Sequence, residues 1–278
     1  MLPRELFLVR HGQSEGNIAN SRSRKGDHSD FTPEFMNRHS ADLHLTYKGR
    51  AQAVFVGDWL KESDLADFDA FYVSPYARAL ETAALLKLSN AMWSQPDYRL
   101  RERDHGSVDI IPNDLRKKRM AGYFESLGSM PYHHFYTPLP GGESICDVTN
   151  RLRSFIDALD SEFPVKRAVV VAHGDVMRAF RVILEQISPD SYHQLKQEDA
   201  VDFRIGNGQI IHYTRINPNP TNPTDYGNER FDRFGWVRSI NPWKPGYAGH
   251  DWQEIKPQFY TNEKLMALAE RSKRLVSE

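Results

Sequence analysis

The chain of 278 residues has one cysteine, Cys146, so no internal disulfide can form. A lone thiol agrees with a reducing compartment, and this one reads as a small apolar filler on a helix. Net charge is also lacking: 36 Lys and Arg stand against 37 Asp and Glu, leaving −1. There is no long basic stripe, which argues against nucleic acid or another polyanion as the main partner. Any phosphate recognition then rests on a few placed arginines. No run approaches the ~18 apolar residues of a spanning helix, so no membrane partner is expected. Met1-Leu2-Pro3-Arg4 leads straight into an apolar segment and leaves no room for a signal peptide. The expectation is a soluble, cytoplasmic protein. Also absent are a glycine loop before a lysine, a Gly-x-Gly-x-x-Gly turn, a His-Glu-x-x-His pair and paired cysteines. No cofactor is expected. His133 and His134 are adjacent, but neighbouring side chains in an extended stretch point opposite ways, so the pair reads as a poor chelate and no metal is expected.

What the chain does have is an alternation of short apolar runs with helical patterns. Residues 5–9, 68–73, 167–172 and 209–216 have strand character, which points to an α/β fold. Thr46 reads as an N-cap, with Ala51, Phe55 and Trp59 recurring at i+4 as an inward stripe. Ser74-Pro75 reads as the start of another helix, serine at the cap and proline in the first turn. Ser144 to Asp147 has the form of a capping box, followed by Val148, Leu152, Phe155 and Leu159 at helical spacing. Residues 21–43 and 107–139 break the rhythm and read as inserts near the site. Beyond Asn217 the composition shifts to Pro, Asn and Gly with many aromatics. The expected organisation is a catalytic domain over residues 1–216 and an extension over 217–278 that packs on it, with a last helix near 263–275.

Two of the strands end alike. Residues 5–9 run into Arg10-His11-Gly12, and residues 169–172 run into His173-Gly174. In an open α/β sheet the carboxyl ends of the strands line the ligand crevice, so His11 and His173 are expected to face one another there. Arg78 follows a third strand on the first turn of a helix. The helix opening at Gly174 adds backbone N–H groups and a positive dipole end. Two guanidiniums, two imidazoles and a helix terminus form a pocket for a tetrahedral dianion, since arginine's planar fork bonds two phosphoryl oxygens at once.

Arg10-His11-Gly12-Gln13-Ser14-Glu15-Gly16-Asn17 resembles the signature of the histidine phosphatase superfamily, in its phosphoglycerate mutase-like branch. Further blocks follow in that family's order: 45–53, Ser74 to Ala83, Leu100 to Gly106, Pro140 to Ser144, and Ala172-His173-Gly174. The likeness covers about residues 4–216. It implies a three-layer α/β/α sandwich with a mostly parallel central sheet and a ping-pong phosphoryl transfer on a small-molecule phosphomonoester. By this resemblance His11 is the nucleophile, Arg10, Arg78 and His173 hold the phosphoryl oxygens, and Asn17 and Gly174 line the pocket. Glu102 is the expected general acid and base; a salt bridge to Arg101 or Arg103 is the structural alternative, and Asp175 the rival donor.

The same pocket suits hydrolysis, transfer to a second hydroxyl as in a mutase, or inert binding of a phospho-ligand. Hydrolysis is favoured. The mutases' arginine-bearing insertion is not found in residues 106–112, and His105 stands where they place a substrate-contacting tyrosine. The Arg116 to Arg119 cluster reads as a solvated helical face, although it could reach an anionic substrate. Phe31, Phe35, Tyr123, Phe124, Tyr132, Phe135 and Tyr136 could give the two inserts an apolar lining for a bulky or aromatic leaving group, but read mainly as pins holding loops to the core. Substrate identity and oligomeric state stay open.

Overall fold

A computed structural model describes residues 2–127, 133–161, 166–200, 203–220, 233–244, 251–256 and 259–270. The strands are β1 (Glu5–Arg10), β2 (Ala70–Val73), β3 (Arg167–Ala172), β4 (Ile210–Thr214), β5 (Trp236–Ile240) and β6 (Gln253–Glu254). The helices are α1 (Glu15–Ser23), α2 (Pro33–Met36), α3 (Tyr47–Glu62), α4 (Ala77–Leu85), α5 (Asn113–Leu127), α6 (His133–Tyr136), α7 (Ile145–Ser161), α8 (Gly174–Leu184), α9 (Pro189–Gln197) and α10 (Asn262–Ala269). All four strands expected from sequence form.

They assemble into one sheet of order β2-β3-β1-β4-β5-β6. Period-2 alternation gives each central strand two apolar faces. Leu6, Leu8, Val170 and Ala172 pack with Val148, Leu152 and Phe155 of α7 and Val176 and Phe180 of α8. Phe7, Val9, Val169 and Val171 pack with Val56 and Leu60 of α3 and Ala79 and Ala83 of α4. Helices therefore cover both faces, and the three layers are as expected. Each fully buried Val, Leu or Phe side chain among these contributes about 1.5–3 kcal/mol before ordering costs.

The sheet itself is mixed, where a mostly parallel one was expected. β1, β2 and β3 pair in parallel, but β4 runs antiparallel to β1, β5 to β4, and β6 to β5. The reason is local. Residues 205–209 turn at the carboxyl end of β1, where Arg10 N donates to Gln209 O and Gly208 N donates to Arg10 O. A strand that starts there can only return antiparallel. The described part of the tail packs on the core and also adds strands that were not expected. β5 and β6 continue the sheet, and Phe234 and Ile255 enter the core on the α7–α8 side. β5 had no sequence signal because four of its five residues are only half-buried and do not alternate. α10 covers the start of the helix expected over 263–275; residues 271–278 lie outside the described set, as does Tyr132.

The capping box at Ser144 forms: Ser144 Oγ accepts from Asp147 N, and Asp147 Oδ2 accepts from Ser144 N. Thr46 caps α3 through Gly49 N. The inward stripe of α3 is not Ala51-Phe55-Trp59, however. Its buried face is Gly49, Gln52, Ala53, Val56, Gly57 and Leu60, and Phe55 is exposed, edge-on to Trp243. A strict i+4 series drifts around a 3.6-residue helix, and close backbone approach decides which face turns in. A Cβ on Gly57 would lie 2.1 Å from Leu86 O, and one on Gly49 would lie 2.0 Å from Gln13 O. Only glycine lets α3 sit that close to α4 and to the turn after β1.

Candidate active site

His11 and His173 follow β1 and β3 directly. Because Arg10 stands opposite Ala172 in the parallel ladder, the two histidines emerge level with one another. Their ring centroids are 5.1 Å apart, and both side chains are buried. His11 Nδ1 lies 2.6 Å from Gly12 O. That contact makes Nδ1 the protonated nitrogen and leaves the ring's lone pair on Nε2. Arg78 Nε donates to Nε2 at 3.2 Å. Burial, then the Arg78 and Arg10 charges, hold His11 well below the usual histidine range. His173 is depressed the same way, by burial and then by Arg78, His11 and Arg10. Both imidazoles are neutral at pH 7.

Arg78 is on the first turn of α4, its Nη1 donating to Ser40 O at 2.5 Å. Arg10 is anchored by Nη1 to Ile205 O. Burial lowers Arg10 to about 10, which keeps it charged at neutral pH. Arg10 Nε and His173 Nδ1 are buried and have no hydrogen-bond partner among the described residues. The Gly174 backbone lies beside Arg10, with a Cβ there 3.5 Å from Arg10 Nε. Asn17 lines the same cavity, its Oδ1 accepting from Ser14 N and Asn207 Nδ2.

Three neighbours of this cluster escaped the sequence reading. Ser74 does not cap α4: the helix begins at Ala77 behind Tyr76, and Ser74 Oγ sits 2.7 Å from His173 Nε2. That contact holds the ring in orientation. Ser74→Ala is expected to lower kcat about tenfold with little change in KM, the worth of one hydrogen bond of ~1.4 kcal/mol. Steady-state kinetics together with an unchanged melting temperature checks it. Asn207, in the turn before β4, donates to His11 O as well as to Asn17; the Gly206-Asn207-Gly208 turn was its only visible signal. Glu143, within the Pro-Gly-Gly-Glu-Ser block, organises the loop that carries Glu102. Its carboxylate accepts from Arg151, Arg101 and Asp104 N, and its carbonyl oxygen accepts from Arg103 Nε.

That network disposes of the salt-bridge alternative for Glu102. Arg101 pairs with Glu143 at 2.6 Å, and Arg103 donates Nε to the Glu143 backbone. The Glu102 carboxyl accepts only from Arg103 N among the described residues, and it lines the cavity with Arg10, His11 and Arg78. Burial and then the negative charge of Asp175 push its pKa up. Asp175 goes the other way. Burial alone would raise it, but His105, Arg178 at 2.6 Å and Arg103 at 3.8 Å hold it well below the carboxylate range. Two carboxyls in one cavity are thus split, one pushed towards protonation and one pinned as an anion.

The inner pocket holds about 110 Å³ and opens into an outer cavity of about 600 Å³. The outer walls are polar, carrying Arg24, Arg116, Arg178, Lys196 and Arg204 against Asp109 and Asp199. Arg116 departs from the solvated-face reading: its Nε donates to Val108 O and it lines the cavity, whereas Lys117, Lys118 and Arg119 are exposed. Phe31 and Phe35 pack on each other, and Phe135 packs on Tyr192, away from the cavity. His133 and His134 lie on α6, a helix, so the extended geometry assumed for them does not hold. No helix among the described residues is long and apolar enough to cross a membrane.

The chain is similar to known proteins in both sequence and fold. The chain is 31% identical over 226 residues to a 2,3-bisphosphoglycerate-dependent phosphoglycerate mutase of Rhodopseudomonas palustris, an alignment covering 80% of this chain and 96% of the relative. It is 33% identical to the protein of that name from Bradyrhizobium diazoefficiens, over 74% of this chain and 91% of the relative. Its fold matches a mycobacterial glucosyl-3-phosphoglycerate phosphatase with a TM-score of 0.57, at 22% identity, over 76% of this chain and 89% of that one. A protein described as mycobacterial hydrolase 2 aligns over 99% of this chain and 100% of its own, with a TM-score of 0.57 at 20% identity. Residues 6–205 match the model of the histidine phosphatase superfamily, branch 1, and the chain belongs to that family.

Proposed function

We propose that this chain is a phosphomonoester hydrolase that works through a phosphohistidine on His11, with Glu102 as general acid and then general base. The reading is carried by one observation: a neutral His11 whose Nε2 lone pair faces Arg78, two buried guanidiniums and a carboxyl whose pKa is raised meet in one pocket. His11 Nε2 attacks phosphorus as the ester P–O bond breaks, and the Glu102 proton goes to the departing alkoxide. Water then attacks phosphorus and returns a proton to Glu102. The N–P bond breaks and phosphate leaves. Charge spreads over three oxygens during each transfer, so fixed donors supply most of the rate gain. Arg10 Nε and His173 Nδ1, buried and unpartnered, suit that task; a phosphoryl group satisfies both. Asn17 and Gly174 complete the walls.

The polar outer cavity supports a leaving group with hydroxyls or a second negative charge over a bulky aromatic one. Its volume gives water room to enter after the alcohol leaves, which supports hydrolysis. Residues 1–216 form the proposed catalytic unit, and 217–278 an extension. The names of the curated relatives favour a second reading, transfer to another substrate hydroxyl. Incubation with 3-phosphoglycerate separates the two. Free phosphate with little 2-phosphoglycerate is expected, and rapid isomerisation that depends on bisphosphoglycerate would overturn hydrolysis.

A further inference from the structure

Three histidines outside the phosphoryl pocket converge where α6 meets α9. His133 and His134 belong to α6 and His193 to α9. Their ring centroids lie 4.2, 4.8 and 4.9 Å apart, and one ring nitrogen from each falls within 4.8 Å of the others. All three are half-buried. Their spacing is fixed by the fold and not by a flexible surface. Phe135, next to His134, packs edge-on against Tyr192, next to His193, at 5.6 Å, and both are buried in one apolar cluster with Ile145, Val182 and Phe203.

We propose that His133, His134 and His193 bind a divalent transition-metal ion of the Zn²⁺ type, clamping α6 to α9. Three imidazole nitrogens suit Zn²⁺, Ni²⁺ or Cu²⁺ and not the hard cations Mg²⁺ and Ca²⁺, which require oxygen ligands. Bonds of ~2.0–2.1 Å would draw the nitrogens closer than they now stand. The fourth position falls to water. His193 and Lys196 share α9 three residues apart, and Lys196 lines the outer cavity. The ion would therefore stiffen the helix that presents one of the cavity's cations. The site does not depend on the hydrolase reading, because none of its ligands reaches the phosphoryl pocket.

The test uses the full chain stripped of metal with a chelator, then titrated with Zn²⁺ alone by calorimetry and thermal melting. One equivalent per chain is expected to bind, and Tm to rise by about 5 °C at a hundredfold excess over Kd. Mg²⁺ should give no shift. His193→Ala and His134→Ala should lose the Zn²⁺-dependent shift, while His11→Ala keeps it. Matching metal-free melting temperatures of wild type and variants will show that the variants fold; His193→Gln serves if His193→Ala does not. No saturable binding to the wild type would overturn the site. So would an unchanged shift in the His193 and His134 variants, or a shift lost only in His11→Ala, which moves the metal to the phosphoryl pocket.

Discussion

Replacing His11 with alanine is expected to cut hydrolysis of phosphomonoesters by about four orders of magnitude or more, the scale seen when a covalent nucleophile is removed. It should also abolish acid-labile phosphate on the denatured protein after a rapid quench. The expectation follows from the position of one proton. With Nδ1 donated to Gly12 O, the ring presents Nε2 as its only lone pair, towards Arg78 and the inner pocket. His173 is as buried and as neutral, but with its Nε2 held by Ser74 its Nδ1 is left to act as the donor proposed for a phosphoryl oxygen. If His11→Ala kept most of the activity, or if the trapped phosphate remained, the phosphohistidine route would fail. An alkali-labile acyl phosphate in its place would shift the nucleophile to Glu102 or Asp175. A second consequence concerns acid pH. Because burial and two arginines depress His11 well below its ordinary 6.5, falling pH should not protonate the proposed nucleophile through the range where a free imidazole charges. The acid limb of kcat/KM should then follow the substrate's own second ionisation, near ~6 for a phosphomonoester.

The pocket was legible in sequence wherever a residue's role is set by its position on a regular element. His11, His173, Arg10 and Arg78 come from strand ends and a first helical turn, and parallel pairing of β1 with β3 brings them level. What was not legible depends on contacts between segments remote in the chain. Ser74 read as a helix cap because serine before proline usually is one, yet His173, 99 positions away, claims its hydroxyl. Glu143 was visible only as part of a block. Its work is done on a loop some 40 positions earlier, where it holds Arg101 and the Asp104 amide. The α3 face was misassigned by periodicity because Gly49 and Gly57 let backbones meet, and an absent side chain leaves no apolar mark to count. The same limit hid the histidine cluster. Two of its members were dismissed on an assumed extended backbone, and the third sits 59 residues beyond His134 on another helix.

Glu102→Gln is expected to lower kcat/KM for alkyl phosphates by about 10²–10⁴-fold, the usual share of a general acid, and to spare aryl phosphates whose phenolate leaves without a proton. Asp175→Asn should stay within about tenfold on both, as expected for a group that never moves a proton. The discrimination rests on environment and not on distance, since both carboxyls face the same cavity. Glu102 is raised by burial and by the Asp175 anion, while Asp175 is pinned ionised by His105, Arg178 and Arg103. A general acid must be protonated when the substrate binds, so alkyl-phosphate turnover should decline as pH rises through the raised Glu102 value. In Glu102→Gln that alkaline limb should vanish along with most of the rate. Asp175→Asn removes the anion that helps keep Glu102 protonated, so its alkaline limb should move to lower pH. If the limb stayed in place in Asp175→Asn, or if Gln at 102 cost alkyl and aryl substrates equally, Glu102 would be binding the ester and not protonating the leaving oxygen.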